Sequence, residues 1–303
     1  MTVFPDLLKH LGGVPVGGTS LFGVRNIRFV CKSTDAKYEE WKARFSARAK
    51  DGTASFFTSV ADAADACGPN DMIYVLPGVY DTGEEIVLDQ ENMKLIGSNT
   101  SGIEWGPCSL KGDGEHLISV QANGIEIANI GFIQNGAYRG IEIDHTAAVY
   151  KTHIHDCHFG GSATATYGVY AGGTYDAVDT VIERCEFLNW ATSGVYLNAT
   201  RSKVRNCLFM VPAAGAGITY HPGSSDRGYC LIADNYIHGS NSTDTGILFD
   251  GAPDAGASAV MVVNNYVAGC NTTITQTANG SYNALNNYTG ATDGAITAID
   301  TDS

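Results

Sequence analysis

A short motif recurs along most of the chain, and this internal repeat constrains the fold more than any other feature. The segment "HIHDCHF" (153 to 159) aligns with "VIERCEF" (181 to 187), "KVRNCLF" (203 to 209) and "LIADNYI" (231 to 237), and then with "VVNNYV" and "ALNNYT". One column of the alignment comprises Ile130, Cys157, Cys185, Cys207, Asn235, Asn265 and Asn287, with spacings of 27, 28, 22, 28, 30 and 22 residues. The period is therefore about 26 residues.

A second column lies upstream in each repeat, where a glycine precedes apolar residues at alternate positions. Its members are "RGIEI" (139 to 143), "YGVYA" (167 to 171), "SGVYL" (193 to 197), "AGITY" (216 to 220) and "TGILF" (245 to 249). Such alternation is typical of a half-buried strand. Repeats of short strands without intervening helices predict an all-β solenoid, in which each coil buries its apolar face by stacking on its neighbours.

The segments outside the array are expected to close its ends. We assign residues 51–290 to the solenoid, residues 1–50 to a separate N-terminal segment and residues 291–303 to a C-terminal tail. The alanine-rich stretch 56–67 is predicted to form a capping helix, because an uncovered first coil would expose apolar surface and strand edges. The tail shows no capping helix, so we expect a partner subunit or the tail itself to cover the last coil.

The N-terminal segment does not fit the repeat. We predict a short helix in "FPDLLKHLGG" (4 to 13) and a charged amphipathic helix of roughly four turns in "DAKYEEWKARFSARAKDG" (35 to 52). A charge-rich segment before a charge-poor solenoid favours an attachment segment. The alternative is a second, more elaborate cap on the same solenoid.

Composition and charge argue against several kinds of partner. The chain has 303 residues and a net charge of −14, so it lacks the basic surface that nucleic acid requires. No apolar segment approaches the ~18 residues that span a bilayer, and no basic leader precedes an apolar run at the N-terminus. We expect no nucleic-acid partner, no membrane partner and no signal peptide. The eight cysteines, which form no CxxC pair, are then expected to be thiols.

The order of elements resembles that of a known superfamily. A helical stretch is followed by "GPNDMIYVLPGVY", "EEIVL" and "MKLIGS", and then by repeats of the form I-x-x-N-x-F. This order is similar to that of the pectate-lyase-like right-handed parallel β-helix superfamily, from about residue 51 to about residue 290. The resemblance implies a single-stranded, right-handed parallel β-helix. It leaves the activity open, because the superfamily includes polysaccharide lyases, glycoside hydrolases, bacteriophage tailspikes and inert structural proteins.

The resemblance also implies a role for the repeated column. In such coils this position lies at a sharp bend, where asparagines of successive coils stack into a hydrogen-bonded ladder. The expected ladder consists of Asn235, Asn265 and Asn287, with Cys157, Cys185 and Cys207 as its apolar continuation. Buried cysteine suits that continuation because it behaves as a small hydrophobic residue.

The motif "HIHDCHF" also contains residue types that commonly bind metals. His153 and His155 share a strand face beside Glu183 of the next coil, so a two-histidine metal site is conceivable. A structural zinc site uses four ligands, however, and Cys157 is expected to point inward. We predict instead that the histidines pair with charges on neighbouring coils, and we expect no metal and no cofactor.

The strands that follow each glycine offer the best surface for chemistry. Alternation places Tyr170 and Tyr196 outward on adjacent coils, where aromatic rings suit a sugar. Asn198, His221 and Asp250 fall in one column of consecutive coils, ~4.8 Å apart. Because a histidine beside a carboxylate is a feasible general acid or base, His221 and Asp250 are candidate catalytic residues. Tyr170, Tyr196 and Asn198 are candidate carbohydrate-binding residues.

Glu142 and Asp144 form a second catalytic candidate on one strand. Glycosidases use two carboxyl groups ~5 to 9.5 Å apart, and this pair satisfies the spacing. The same residues are equally compatible with solvated charges at the edge of a strand. Few basic residues occur in these columns, Arg139 being the nearest, which disfavours lyase chemistry.

Two functions remain open. The first is a bacteriophage virion protein, tailspike-like or capsid-decorating, made in the host cytoplasm and anchored to other virion proteins through residues 1–50. We expect it to be a homo-oligomer, a trimer, with a host-surface polysaccharide as its candidate ligand. The alternative is a polysaccharide-degrading hydrolase or lyase of the pectate-lyase-like group, which would carry a dense constellation of carboxylates or histidines. The virion protein is the primary interpretation.

Overall fold

The chain winds as a right-handed, single-stranded parallel β-helix whose coils contribute strands to three long sheets. This computed structural model describes residues 24–46, 52–98, 108–143, 147–221, 228–240, 243–250, 260–276 and 283–290, and the backbone of the strands His10–Leu11, Val14–Pro15 and Ile296–Ile299. No helix within these ranges is long and apolar enough to cross a membrane. The fold class predicted from the sequence is confirmed.

The sheets are named A to D. Sheet A contains Ile86–Leu88, Ile118–Val120, Ile141–Ile143, Tyr167–Ala171, Ser193–Leu197, Ala216–Tyr220, Thr245–Phe249 and Thr272–Gln276. Sheet B contains Ile27–Val30, Phe56–Phe57, Met72–Val75, Lys94–Gly97, Glu126–Ala128, His153–His155, Val181–Glu183, Lys203–Arg205, Leu231–Ala233, Met261–Val263 and Asn283–Leu285. Sheet C contains Gly78–Asp81, Cys108–Gly112, Gly131–Gln134, His158–Gly161, Glu186–Leu188, Leu208–Met210, Tyr236–His238, Tyr266–Ala268, Asn287–Gly290 and Ile296–Ile299. The small sheet D contains Val149–Tyr150, Ala177–Val178 and Ala199–Thr200, and a separate antiparallel pair joins His10–Leu11 to Val14–Pro15.

The bend between sheets B and C is made by one residue per coil in the left-handed backbone region. These residues are Asn129, Asp156, Arg184, Asn206, Asp234, Asn264 and Asn286, with φ between 51° and 58°. Asparagine and aspartate tolerate this conformation better than most residues, which explains their frequency here. Each is followed at once by a residue of the repeated column, so that column lies at the bend, as the sequence predicts.

Aligned aromatic rings fill the interior behind this bend. Phe132, Phe159, Phe187 and Phe209 stack with ring centroids 4.7, 4.6 and 4.8 Å apart, which matches the spacing of neighbouring strands. The rings also explain why glycine leads the strands of sheet A. A Cβ atom at Gly168 would lie 2.6 Å from both the carbonyl oxygen of Gly194 and Cδ1 of Phe187.

The first coil is capped by the helix Val60–Asp65, whose Val60, Ala63 and Ala64 are buried against the interior. It is shorter than the predicted range 56–67 because Phe56–Phe57 forms a strand beside Phe29 and Val30. The Oγ of Ser59 accepts a hydrogen bond from the backbone N–H of Asp62 and so fixes the helix start.

The described part of the N-terminal segment belongs to the body of the solenoid. Ile27–Val30 pairs with Met72–Val75, and the buried Arg28 forms an ion pair with Asp71 at 2.9 Å. The solenoid therefore begins before residue 51, contrary to the expected boundary. An attachment role for residues 1–50 stays a prediction.

Both helices predicted in this segment need correction. The charged helix spans Tyr38–Phe45, and its Phe45 ring stacks on Phe29 at 4.0 Å, so it covers the outer face of sheet B. Residues 47–51 lie outside the described residues, as does most of the predicted helix 4–13, within which His10–Leu11 is a strand.

The C-terminal tail contributes a strand of its own. Ile296–Ile299 pairs antiparallel with Asn287–Gly290 and covers the last edge of sheet C. One edge of the final coil is thus closed by the tail itself, which was one of the two expected solutions.

Candidate functional site

The outward face of sheet A presents a row of mainly polar and aromatic side chains along the solenoid. Strand register places Ser119, Glu142, Tyr170, Tyr196, Thr219 and Leu248 in one column of successive coils. Residues just before or after the same strands lie on both sides of this column and widen the surface. We call this face the sheet A surface, defined by Glu85, His116, Arg139, Glu142, Tyr167, Tyr170, Tyr196, His221 and Asp250.

Tyr170 and Tyr196 form the centre of the sheet A surface. Their rings stack with centroids 4.6 Å apart and an interplanar angle of 7°. The guanidinium carbon of Arg139 lies 3.5 Å from the ring centroid of Tyr170, and the His221 ring stacks on Tyr196 at 5.8 Å. The ring faces are therefore in contact with one another, so the stack presents ring edges outward rather than open faces for a sugar. Tyr167 packs edge-on against Tyr196 at 5.3 Å.

Next to the tyrosines, Glu85, His116 and Glu142 form a cluster that sequence reasoning missed. One potential ligand atom from each residue lies within 4.8 Å of those of the other two. Nε2 of His116 lies 3.0 Å from Oε2 of Glu142, while Nη1 of Arg139 binds Oε1 of the same carboxylate. The side chains of His116, Glu142 and Arg139 are 25%, 17% and 23% exposed, so the cluster is half-buried but reachable.

The tautomer of His116 follows from its second nitrogen. The backbone N–H of Arg139 donates to Nδ1 at 3.1 Å, so Nδ1 carries a lone pair and not a proton. A neutral His116 therefore holds its proton on Nε2 and donates it to Glu142. A metal ion on Nε2 would require that proton to leave, so the arrangement suits proton sharing better than metal binding.

The environments of the two carboxyl groups push their pKa values apart. Burial raises the pKa of Glu85; a positive charge on His116 opposes this effect, and the charges of Glu142 and Glu115 add to it. Burial alone would also raise the pKa of Glu142, but the hydrogen bond from His116 and the charge of Arg139 outweigh it and lower that pKa. A carboxyl group whose pKa is raised thus lies beside one whose pKa is lowered.

The strand register would have placed Glu85 and His116 beside Glu142. Ile86, Ile118 and Ile141 are register partners, so "EEIVL" and "HLISV" are the coils that precede "RGIEI". Neither earlier coil begins with glycine, which is why the glycine-led column did not include Glu85 and His116.

The candidate pair His221 and Asp250 occupies adjacent coils as predicted, but it is not hydrogen-bonded. Nδ1 of His221 and Oδ2 of Asp250 lie 3.8 Å apart, beyond hydrogen-bonding distance. The side chains are 35% and 53% exposed. Asn198 is buried and donates its amide to the carbonyl oxygen of Gly173 at 3.1 Å, so it lies beneath the surface. Asp144 lies outside the described residues.

The histidines of "HIHDCHF" pair with carboxylates on the outer faces of sheets B and C. Nε2 of His153 lies 3.2 Å from Glu183, and His155 lies between Glu126 at 3.3 Å and Asp156 at 2.7 Å. Pairs of Asp156 with Arg184 at 2.8 Å and of His158 with Glu186 at 2.9 Å continue the pattern. Within the described residues these histidines are not part of a three-ligand group.

The repeated column forms a ladder at the bend. Asn235 and Asn265 donate their side-chain amides to Oδ1 of Asn265 at 2.9 Å and of Asn287 at 3.0 Å, respectively. Cys157 and Cys185 continue the line with buried, free thiols that donate to backbone carbonyls at 3.2 and 3.3 Å. Cys207 is likewise buried and free, and its backbone N–H donates to Oδ1 of Asn235 at 3.0 Å, which joins the two halves of the ladder.

Neither a family model nor a curated protein matches the sequence. Among solved structures, a pectin methylesterase from Aspergillus niger matches with a TM-score of 0.57 at 17% identity, covering 93% of each chain. An alginate lyase from Paenibacillus sp. str. FPU-7 gives a TM-score of 0.49 at 13% identity, covering 76% of this chain and 92% of that one. ORF18 of Geobacillus virus E2 gives 0.40 at 12% identity, covering 77% of this chain and 57% of that one.

At such identities structural likeness shows the fold and not the activity. The pectin methylesterase match covers nearly the whole chain, and the long parallel sheets agree with a shared fold. The chain folds as a right-handed parallel β-helix.

Proposed function

We propose that this β-helix binds a glycan along the sheet A surface. The observation that carries the proposal is the row of hydrogen-bonding and aromatic groups that extends from Glu85 to Asp250. It spans seven neighbouring strands, or ~29 Å at ~4.8 Å per step, which is long enough for an extended oligosaccharide. Sites of this kind combine aromatic side chains with a few oriented polar groups.

The charge of the surface favours a neutral glycan over a uronate polymer. Glu85, Glu142 and Asp250 contribute carboxyl groups, and the Arg139 guanidinium already pairs with Glu142. The chain as a whole carries a net charge of −14. A polyanionic ligand would therefore meet like charges, whereas a neutral sugar offers hydroxyl groups to the same donors and acceptors.

Calorimetric titration with a defined panel tests this role. The panel comprises cellohexaose, xylohexaose, chitohexaose, maltohexaose and, as the anionic member, hexagalacturonate. We expect binding of a neutral hexasaccharide and weaker binding of hexagalacturonate. Tyr196→Ala should weaken the binding by about tenfold or more, equal to about 1.4 kcal/mol, because it removes the centre of the stack.

Tyr150→Ala provides a matched control. Tyr150 is also an exposed tyrosine, but it lies on sheet D. Its removal should leave the affinity unchanged. Absence of binding across the panel, or equal loss in the two variants, contradicts a glycan site on the sheet A surface.

We infer that this glycan-binding protein is a bacteriophage virion protein. It would project from the particle and contact a glycan of the host surface. Support comes from Cys157, Cys185 and Cys207, which remain thiols although they occupy consecutive coils. Such thiols fit assembly in a reducing cytoplasm. Genes for portal, capsid or tail proteins beside the gene for this chain would agree with this role, and genes for sugar uptake would argue against it.

A further inference from the structure

We propose that Glu85 and Glu142 are the acid and the nucleophile of a retaining glycosidase site at one end of the sheet A surface. This inference rests on the proposed glycan-binding function and adds a reaction to it. The position supports it, because Glu142 is the register partner of Tyr170 on the adjacent coil. A glycan lying along the tyrosines continues directly over the two carboxyl groups.

The separation of the carboxyl groups is compatible with the retaining reaction. One oxygen of Glu85 and one of Glu142 lie within 4.8 Å of each other. Retaining enzymes hold the two carboxyl groups ~5 to 5.5 Å apart, whereas inverting enzymes need ~6.5 to 9.5 Å to admit a water molecule between base and sugar. The close approach of Glu85 and Glu142 therefore favours the retaining geometry.

The surroundings of each carboxyl group decide which role it takes. Glu142 receives one hydrogen bond from His116 and one from Arg139, on different oxygens, so it is held in place as a carboxylate. That suits the nucleophile. Glu85 lies half-buried beside this negative charge, which favours its protonated form and suits the acid. His116 and Arg139 act as positioning residues.

The reaction proceeds in two balanced steps. Glu85 gives its proton to the glycosidic oxygen while a carboxylate oxygen of Glu142 attacks the anomeric carbon; the glycosidic C–O bond breaks and a glycosyl ester forms. The ionised Glu85 then takes a proton from water, and the resulting hydroxide attacks the anomeric carbon. The ester bond breaks, Glu142 returns as a carboxylate, and the sugar keeps its original anomeric configuration.

The test starts from the hexasaccharide of the panel that the native chain binds. We expect the native chain to shorten it, with NMR showing products of retained anomeric configuration. Glu85→Gln and Glu142→Gln should still bind it but cleave it at least about a hundredfold more slowly. Glu186→Gln is the matched control, because Glu186 pairs with His158 at 2.9 Å on sheet C and should leave cleavage unchanged.

A second variant separates a chemical role from a structural one. In Glu142→Ala, added azide should restore cleavage and give a glycosyl azide of inverted configuration, because the small anion enters the space of the missing carboxylate. Binding without cleavage by the native chain overturns the catalytic inference and leaves the glycan-binding function standing. Products of inverted configuration from the native chain also overturn it. Lack of binding to every panel member removes both proposals.

Discussion

Asn265 shows how one residue holds two neighbouring coils together. It is fully buried, and its Oδ1 accepts hydrogen bonds from the backbone N–H and the side-chain amide of Asn235. Its own amide donates to Ile232 and to Asn287 at 3.0 Å each. All hydrogen-bonding groups of this side chain are thus satisfied inside the bend, where water is excluded.

Replacing Asn265 by alanine tests this account. Asn265→Ala leaves the backbone N–H of Asn235 and the carbonyl oxygen of Ile232 without these bonds, so we expect the free energy of unfolding to fall by about 2–4 kcal/mol. Urea unfolding measures the loss. Asn271→Ala, at an exposed position, should change the stability by less than about 0.5 kcal/mol. Equal effects in the two variants would show that the ladder does not stabilise the solenoid.

At the scale of elements, ion pairs between side chains of opposite charge connect neighbouring strands on the outer face of sheet B. Glu183 is the centre of this arrangement and contacts His153, Arg184 and Arg205. Burial would raise its pKa, but the hydrogen bonds from the two arginines and His153 outweigh burial and lower the pKa to about 2. The folded strands therefore stabilise the ionised form of Glu183 relative to the unfolded chain.

This pKa predicts how stability depends on pH. The folded-state pKa of Glu183 lies below the ordinary value of 4.5, so its contribution is fully present above about pH 4.5 and is lost as the pH falls toward 2. Glu183→Gln should reduce the difference between the free energies of unfolding at pH 6 and pH 3. Urea titrations at the two pH values measure this. A pH dependence identical to that of the native chain would contradict the assigned role.

The elements differ in how well sequence could predict them. Strands of the repeat were predictable because inward Ile154 and Phe159 and the ladder residues recur with a fixed pattern. The strand Ile27–Val30 was not, since it occurs before the repeat and joins the first coil through the buried pair of Arg28 and Asp71. The helices were predicted too long, because local periodicity does not show where tertiary pairing, as at Phe56–Phe57, replaces a helical turn.

The sheet A surface was predictable only in part, because sequence periodicity shows strand register but not side-chain packing. Register placed Tyr170, Tyr196, His221 and Asp250 on the correct face and on the expected coils. Side-chain contacts are not encoded in that register. The burial of Asn198 and the contacts among Glu85, His116 and Glu142 depend on how neighbouring side chains pack, which requires the structure.

At the scale of the whole molecule, apolar side chains face outward on the later coils of sheets B and C. Met210, Tyr236, Met261, Leu285 and Tyr288 are 40–46% exposed, whereas an earlier coil carries Glu186 in the column of Tyr236 and Lys203 in that of Met261. Outward apolar groups that recur over consecutive coils favour a protein interface. We predict that this face mediates the homo-oligomer, a trimer, expected from the sequence.

Light scattering coupled to gel filtration tests the assembly. We expect a mass of three times the 32.0 kDa chain at micromolar concentration. The double substitution Met261→Lys and Leu285→Lys should reduce the mass to that of one chain without unfolding it, because it places charge in the apolar face. A native chain that elutes with the mass of a monomer contradicts the prediction.

The central claim is that the sheet A surface is a glycan-binding site, and a crystal structure of the chain with its bound hexasaccharide tests it most directly. We predict electron density for the sugar along sheet A, in contact with the edges of Tyr170 and Tyr196 and extending toward Glu85 and Glu142. Density for the sugar on sheet B or sheet C, with the sheet A surface empty, would contradict the account.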